Sequence, residues 1–394
     1  MVRFSLLILH AIIKLIMTIA TVYIIGAGPG DPELITIKAK RILESADVVL
    51  YDYLAHPNIV LMASNAEKVC VGKKKGYHSM KQESIHDLLL KYSSKVNSIV
   101  RLKGGDPMVF GRCGEEMDFL KDHKIKYEII PGITSAIAAP TYSGIPITHR
   151  DFSHSVAFVT ATRANDIQNM NIPTADTLIL MMSLLRLRPL IQRLLELRDK
   201  STPVAIVESG TLAQQKQLVG TLETIVKDQE EAQLKPPALM IIGKVAALGE
   251  KFKWRDHLPL RNRRFVLFRA MHQQSHFREK LQTLGAEVLT LPLNQIEPVN
   301  NAFKKDDLNK YTYIIFTSEN GVNSFFKNLI NQQSDIRKLS ELTIVAIGAH
   351  TSDALKQKAI IPDLIPKDMN SAGIIKLLKN KLKSSDKVLI PTSS

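Results

Sequence analysis

The chain has 394 residues, of which 45% are hydrophobic and 23% charged, a balance that predicts two or three globular domains and excludes a largely disordered protein. Its 52 Lys and Arg residues outnumber its 38 Asp and Glu residues, and the net charge of +14 favours an anionic partner such as a nucleic acid, an acidic lipid or a polycarboxylate substrate. Cys70 and Cys113 are far apart and lack histidines at ligand spacing, so we expect no disulfide framework, no metal site and a reducing, cytoplasmic setting.

The first 19 residues form an apolar extension. The run from Phe4 to Met17 follows Arg3 as the core of a signal peptide would, but His10 and Lys14 interrupt it and no small-residue cleavage site follows. A helix that spans a bilayer needs about 20 apolar residues in succession. We therefore expect no stable membrane insertion, and we interpret residues 1–19 as a dispensable helical extension or a consequence of start-site choice.

From residue 20 to residue 250, strand-like apolar runs alternate with helical stretches, which predicts an α/β domain. The predicted strands lie near 22–26, 47–51, 98–102, 127–130, 155–160, 177–182, 203–207 and 238–242. The predicted helices cover about 33–45, 80–93, 114–123, 133–142, 187–199 and 221–229. A basic, polar linker at 251–263 then precedes a new strand start near Phe265, so we place a second domain at 264–394.

The first predicted strand runs into a glycine loop, Gly-Ala-Gly-Pro-Gly-Asp-Pro at 26–32. A dinucleotide fingerprint requires the spacing G-x-G-x-x-G, but Asp31 occupies the third glycine position. Pro29 and Pro32 also lack the N–H groups that a pyrophosphate would need. The loop is therefore predicted to bind a different ligand.

Four further segments carry polar residues or glycines directly after apolar runs, where ligands collect at the carboxyl ends of strands in an open α/β sheet. Asp52 ends one run, and Gly104 and Gly105 follow another, where they let backbone approach a ligand. The segment 101–116 also holds Asp106, Arg112 and Glu115. The remaining two segments are 131–136, whose hydroxyls helix capping also explains, and 208–211, which a simple turn also explains.

Together these segments resemble the uroporphyrinogen-III C-methyltransferases of the tetrapyrrole methylase family, over roughly residues 20 to 250. The resemblance rests on several motifs in family order: GAGPGDPELIT at 26–36, VVLYDYL at 48–54, VGKKKGYH at 71–78, LKGGDPMVFGRCGEE at 102–116 and PGITSAIAAPTYSGIPITHRD at 131–151. It implies an α/β fold of two αβα lobes with S-adenosylmethionine in the cleft between them, a homodimer, and two successive C-methylations that convert uroporphyrinogen III to precorrin-2.

The resemblance also implies roles for the individual residues that stand at the family's motif positions. The residues expected to contact the cofactor are Pro29, Gly104, Gly105, Asp106, Val109, Thr134, Ser135, Met182 and Gly210. Asp52 and Lys73 match a proton acceptor and a proton donor, whereas Arg112 and Glu115 match residues argued to handle substrate deprotonation, and the sequence leaves both proposals open. We expect Arg112 to act as an oriented charge partner, because a guanidinium with a pKa above about 12 is a poor base.

Methyl transfer from a sulfonium is an in-line displacement, and its rate depends chiefly on how the two reactants are positioned. The reaction therefore requires no covalent nucleophile on the enzyme. The substrate carries many carboxylates, so the cleft is expected to hold cations that bind it through charge-assisted hydrogen bonds. The candidates are Lys73, Lys74, Lys75, Lys103, Arg112, His149 and Arg150. For the lysine run, solvated surface charge is the alternative. Cys113 and Ser183 depart from the glycines usual in the family, and we expect both to be tolerated.

The region from about Arg264 onward resembles the amino-terminal half of the uroporphyrinogen-III synthases, through motifs at 266–269, 315–322 and 345–351. The resemblance implies that four polar residues face a cleft: Thr317, Ser318, Asn320 and Thr351. Helix capping is the simpler explanation for the first two. In that family the chain returns to complete its first lobe, and this sequence stops before the return. We therefore expect an unpaired sheet edge and a synthase activity that is absent or weak.

Two other functions are compatible with parts of this sequence. A basic protein could bind nucleic acid, but the sequence contains no helix-turn-helix, zinc-finger or aromatic-interleaved RNA motif, so we expect no nucleic-acid partner. A methylase of the same fold could act on another tetrapyrrole intermediate or on RNA. The segment 102–116 and the attached synthase-like region favour uroporphyrinogen III.

Overall fold

The computed structural model describes residues 20–72, 82–161, 167, 170–268, 275–291, 299 and 303–392. The chain divides into two compact units between Pro292 and Leu293. The first unit thus includes the predicted linker and the first strands of the synthase-like region, and our domain boundaries remain a prediction. The expectations for residues 1–19 and for the lysine run at 73–75 lie outside the described residues.

The first lobe of the first unit is a parallel sheet of five strands in the order β3-β2-β4-β1-β5. The strands are β1 (Thr21–Gly26), β2 (Val48–Tyr51), β3 (Glu67–Cys70), β4 (Ser98–Lys103) and β5 (Lys126–Ile130). The helices are α1 (Ile37–Glu44), α2 (Pro57–Met62), α3 (Gln82–Ser93) and α4 (Cys113–Asp122). Successive residues point to opposite faces of a strand, so Ile24 and Ile25 lie in different apolar clusters and the sheet is buried on both faces.

The second lobe is a mixed sheet of five strands in the order β6-β7-β10-β8-β9. The strands are β6 (Val156–Thr160), β7 (Thr177–Met181), β8 (Pro203–Glu208), β9 (Lys216–Thr221) and β10 (Ala238–Ile242). The helices are α5 (Ser135–Tyr142), α6 (Leu187–Leu195) and α7 (Ile225–Ala232). β10 is antiparallel to both β7 and β8, so these two strands run in the same direction and end at the same edge of the sheet.

The synthase-like region begins in the first unit as a parallel pair, β11 (Arg264–Leu267) and β12 (Glu287–Thr290), with α8 (Ser275–Thr283) between them. Among the described residues no third strand joins this pair. The outer edge of β12 accepts one hydrogen bond from the side-chain amide of Asn58, a residue of the first lobe, and donates another to it.

The second unit is built on a parallel sheet in the order β14-β13-β15. Its strands are β13 (Tyr313–Phe316), β14 (Thr343–Ala346) and β15 (Val388–Leu389), and its helices are α9 (Glu319–Asn331), α10 (Ala349–Lys356) and α11 (Ser371–Leu378). Phe316 and Phe325 pack at its centre. Thr351 was expected to face a cleft, but it is buried within α10, and the Ser318 hydroxyl caps α9, so packing and capping account for these two side chains.

The α/β prediction is confirmed, and each strand predicted between residues 20 and 250 is present within one residue of its expected bounds. The last predicted helix of that region is displaced, because 216–221 forms strand β9 and the helix begins only at Ile225. Among the described residues, no helix combines the length and apolar character needed to cross a bilayer.

Candidate functional site

Three glycines bring the ends of β1, β4 and the loop after β5 into backbone contact. A Cβ atom on Gly26 would lie 2.6 Å from Gly105 O, and one on Gly132 would lie 2.3 Å from the same oxygen. Gly28 and Gly105 also exchange two backbone hydrogen bonds, of 3.1 and 2.7 Å. Since any other residue would push these segments apart, the glycines fix the junction of the strand ends.

Gly105 leaves open backbone beside this junction, whereas a Cβ on the preceding Gly104 would lie 3.3 Å from Leu54 Cβ. Gly105 adopts a φ of +68°, and a Cβ there would meet no atom closer than Thr134 Cα at 3.8 Å, with Ser135 N at 3.9 Å. A ligand can therefore lie directly on the backbone. The Thr134 hydroxyl accepts a hydrogen bond from Ala136 N at 3.4 Å, so it caps α5 at the same place.

Asp106 ties this loop to the junction. Its Oδ1 accepts a hydrogen bond from Met108 N at 2.8 Å and its Oδ2 accepts one from Gly132 N at 3.0 Å. Val109 N donates to Asp106 O in the same turn. The carboxylate thus holds two backbone segments in place around Gly104 and Gly105.

The second lobe closes against the glycine loop. Asp31 N donates to Thr211 Oγ1 at 3.0 Å, and Tyr142 Oη donates to Asp31 Oδ2 at 2.8 Å. Burial, together with the nearby Asp31 carboxylate, raises the pKa of Tyr142, which keeps the phenol a donor. Gly210 packs on α5, where a Cβ would lie 2.4 Å from Ala139 Cβ. The loop that carries Pro29 is therefore anchored to the segment that carries Gly210.

Asp52 follows β2 and is held by a buried cation. Its backbone N donates to Leu102 O at 3.0 Å, and its Oδ1 accepts a hydrogen bond from the Arg101 guanidinium at 2.6 Å. Arg101 also donates from Nε to Glu116 Oε1 at 3.1 Å, and Lys103 Nζ donates to the same oxygen at 2.8 Å. The carboxylate of Asp52 is thereby fixed at the end of the sheet.

Three of the four charged residues in this cluster are removed from solvent, since Glu116 is 0% exposed, Arg101 2% and Lys103 4%, whereas the side chain of Asp52 is 31% exposed. Buried charges are costly unless they are paired, and here two cations match two carboxylates. The sequence prediction that Lys103 binds substrate is therefore wrong, because Lys103 is committed to Glu116. The prediction also missed Arg101 and Glu116, although charged residues at buried positions of an apolar strand and an amphipathic helix were the available signal.

Arg112 and Glu115 lie in the open instead. They form an exposed pair with two parallel hydrogen bonds of 2.8 and 2.6 Å. The bond to Arg112 lowers the pKa of Glu115, and the same bond raises the pKa of Arg112. Arg112 takes a left-handed φ of 55° as it starts α4.

Strained backbone accumulates at the strand ends of both lobes. Left-handed φ angles occur at non-glycine residues in the loop after β4, after β7 and after β8: Phe110, Arg112, Met182, Ser209 and Thr211. Such residues cost about 1 kcal/mol or more each and concentrate at functional sites. Ser183, which replaces a family glycine, is buried and donates to Leu180 O at 3.0 Å, so its hydroxyl is satisfied.

Large apolar side chains are exposed near the same strand ends. They follow β2, β4 and β7: Tyr53, Leu54, Met108, Phe110 and Met182. Exposed apolar surface of this kind beside polar groups is typical of a ligand-binding site. Among the described residues, no cluster of His, Cys, Asp or Glu could hold a metal ion.

The structure thus gathers one set of the predicted site residues at the junction of the strand ends: Gly104, Gly105, Asp106, Thr134 and Ser135, with Asp52 joined through Leu102 and Gly210 joined through Thr211. Met182 lies at the end of β7. His149 stacks on Phe152, and Arg150 is exposed. Lys73 lies outside the described residues, but Gly72 before it packs on Tyr53.

Comparison with known proteins matches the fold and site to a family. The family model described as tetrapyrrole (corrin/porphyrin) methylases matches residues 21–226, more than half of the chain. The chain belongs to the tetrapyrrole methylase family. A second model, described as uroporphyrinogen-III synthase HemD, matches residues 275–394.

Two relatives match almost the whole chain, and one solved structure matches part of it. The porphyrin biosynthesis protein HemD of Ruminiclostridium josui is 37% identical over 381 residues, which cover 94% of this chain and 75% of that protein. The uroporphyrinogen-III C-methyltransferase of Bacillus subtilis is 39% identical over 374 residues, 92% of this chain and 76% of that protein. A crystal structure of uroporphyrin-III C-methyltransferase from Thermus thermophilus, in complex with S-adenosylhomocysteine, is 39% identical with a TM-score of 0.50, and the match covers 58% of this chain and 100% of that one.

Proposed function

We propose that this methylase transfers two methyl groups from S-adenosylmethionine to carbon atoms of uroporphyrinogen III and so produces precorrin-2. The observation that carries the proposal is the junction of strand ends at Gly26, Gly105 and Gly132, closed from the second lobe by Thr211. It forms a glycine-lined floor in a member of a family that includes uroporphyrinogen-III C-methyltransferases.

The residues present fit a nucleoside methyl donor. Gly104 and Gly105 carry no side chains that would keep a ligand off the backbone, the space in front of Gly105 is open, and the hydrogen bond from Gly132 N to Asp106 holds their loop in place. The loops that carry Pro29 and Gly210 border this region, because the hydrogen bond from Asp31 N to Thr211 joins them. The remaining proposed contacts are Val109, Thr134, Ser135 and Met182, of which Met182 supplies a flexible apolar side chain.

When it is bound, S-adenosylmethionine supplies an electrophilic methyl group on a sulfonium. The protein's part is to hold the two reactants in line, which lowers the barrier without any covalent intermediate on the enzyme. The exposed apolar side chains after β2 and β4 are suited to the faces of a tetrapyrrole ring: Tyr53, Leu54, Met108 and Phe110. Arg112, exposed at the start of α4, is suited to the substrate's carboxylates.

Asp52 is the proposed base that removes the proton lost after each transfer. Arg101 holds its Oδ1, whereas Oδ2 accepts no hydrogen bond from the described residues. Both oxygens of Glu115 already accept hydrogen bonds from Arg112, and this pairing lowers the pKa of Glu115. This difference supports Asp52 as the acceptor and Arg112 with Glu115 as substrate-orienting residues, while Lys73 is kept as the proposed donor.

Two further properties belong to the proposal. We infer a homodimer, supported by exposed apolar side chains on and near α5 and α6: Ile133, Ile137 and Leu185. We also infer a cytoplasmic location, supported by the free thiols of Cys70 and Cys113.

The test is to incubate purified protein with uroporphyrinogen III and S-adenosylmethionine and to determine product masses. Two added methyl groups are expected. Binding of S-adenosylhomocysteine without any methylated product would instead indicate a methylase for a different tetrapyrrole. A parallel reaction that starts from hydroxymethylbilane tests the synthase-like region separately.

A further inference from the structure

The strand Glu287–Thr290 is an edge strand that the first lobe completes. Glu287 N and Leu291 N donate to Arg263 O and Leu267 O, so that edge faces β11. On the opposite edge, Asn58 Nδ2 donates to Val288 O at 2.6 Å, and its Oδ1 accepts from Thr290 N and Thr290 Oγ1, each at 3.0 Å. The side-chain amide of Asn58 thus satisfies a C=O group and an N–H group that a neighbouring strand would otherwise bond.

The same strand also contacts the second lobe. Glu287 Oε2 accepts a hydrogen bond from Ala213 N at 2.7 Å, and Oε1 accepts one from Arg264 at 2.8 Å, with His56 Nε2 3.7 Å away. Burial alone raises the pKa of Glu287, but the His56 ring, the Arg264 guanidinium and the Ala213 N–H outweigh it and lower the pKa to about 2. The carboxylate is therefore charged at neutral pH and binds the loop after β8.

The two residues that this strand contacts, Asn58 and Ala213, are each a few positions away in sequence from a residue of the candidate site. Asn58 lies at the start of α2, whose preceding turn is closed by the hydrogen bond from Ala55 N to Asp52 O at 3.0 Å. Ala213 lies two residues after Thr211, whose hydroxyl binds Asp31 N. Leu212 between them packs on Gly30, where a Cβ would lie 2.9 Å from the leucine side chain.

We propose that the strand Glu287–Thr290 is a brace of the methyl-transfer site, in which Glu287 and Asn58 are positioning residues that hold the loop 209–215 and the Asp52 segment in their working arrangement. The proposal rests on the proposed function for the identity of the ligand. Asn58 and Ala213 lie in the region that the methylase model matches, and Glu287 lies in the region that the synthase model matches, so the brace joins the two matched regions.

The test uses the full-length chain and two readouts. Glu287→Ala should speed amide hydrogen exchange across 209–215 and weaken S-adenosylhomocysteine binding about threefold to tenfold, because it removes a charge-assisted hydrogen bond to that loop. Asn58→Ala should lower kcat with uroporphyrinogen III while leaving the affinity for S-adenosylhomocysteine near the wild-type value. Glu279→Ala removes an exposed carboxylate from the neighbouring helix and should change neither quantity.

The outcome that overturns the brace is faster exchange confined to 287–290, with exchange at 209–215 and ligand affinity unchanged in Glu287→Ala. If that variant does not fold, Glu287→Gln, which keeps the side-chain shape and one acceptor, is measured in its place against the same criteria. Failure of the proposed function is distinguishable, because the wild-type protein would then add no methyl groups to uroporphyrinogen III, while the hydrogen-exchange readout still decides the brace.

Discussion

At the scale of single residues, the candidate site contains two kinds of charged side chain: some hydrogen-bond to the backbone, and others pair with each other in solvent. Asp106 binds two backbone N–H groups, whereas Glu115 and Arg112 bind each other in the open. The type and position of these residues could be predicted from the motif at 102–116. Their partners could not, because pairing depends on how the strand ends meet in three dimensions.

Asp106→Ala should therefore impair cofactor binding, because it releases the loops around Gly105 and Gly132. Glu115→Ala should leave cofactor binding intact and slow turnover, because its partner Arg112 loses its fixed orientation. Calorimetric titration with S-adenosylhomocysteine and turnover of uroporphyrinogen III measure the two effects. Equal loss of affinity in both variants would contradict this division of roles.

Glu116→Gln should lower both stability and turnover, because Arg101 and Lys103 would then share one carboxylate fewer in a buried site. Breaking such a pair typically costs about 3–5 kcal/mol. Urea denaturation measures the loss, and kcat reports whether Asp52 is displaced. Glu128→Gln, which removes the exposed partner of Lys38, is the matched control and should cost less than about 1 kcal/mol. An unchanged free energy of unfolding in Glu116→Gln would show that the cluster contributes little.

At the scale of elements, strands with an apolar sequence were predictable and the polar edge strands β3 and β9 were not. β1, β7 and β10 are mostly apolar runs, so their bounds followed from the sequence. β3 and β9 are edge strands rich in charged and polar residues, which is how edges avoid pairing with other chains and also why they do not look like strands. α2 was missed because its Pro57 start resembles a turn, although proline is favoured at the first helical position.

The glycine junction gives an element-scale prediction. Gly132→Ala would place a Cβ 2.3 Å from Gly105 O, so β4 and the loop after β5 must separate. We expect a loss of about 1–3 kcal/mol in unfolding free energy, as for overpacking in a core, together with weaker binding of S-adenosylhomocysteine. Gly114→Ala is the control, because a Cβ there meets no atom within 4 Å and alanine favours the helix. Unaltered affinity in Gly132→Ala would separate the junction from the ligand site.

At the scale of the whole molecule, the chain has two compact units with separate apolar clusters. The break in the sequence pattern after residue 250 predicts a second domain at 264–394, and that boundary stays a prediction. The packing of β11 and β12 with the first unit was not predictable, because it depends on Asn58 and Glu287, which lie 229 positions apart in the sequence and have no motif of their own.

We expect thermal unfolding that is not two-state, since each unit has its own core. S-adenosylhomocysteine should raise the transition of the first unit only. At 100 times its dissociation constant, the ligand adds about 2.7 kcal/mol to the state that binds it. Differential scanning calorimetry with and without ligand measures this shift. A single transition that moves as a whole would show that the two units unfold together.

The contrast between the two thiols has a practical consequence. Cys70 is exposed, whereas Cys113 is buried at the start of α4, where burial and then the Glu116 carboxylate raise its pKa. An alkylating reagent should therefore modify Cys70 at once and reach Cys113 only when the first lobe opens. In a Cys70→Ser chain, the rate at which Cys113 is alkylated therefore reports the rate at which the first lobe opens. Mass spectrometry of the intact protein measures that rate without any added probe.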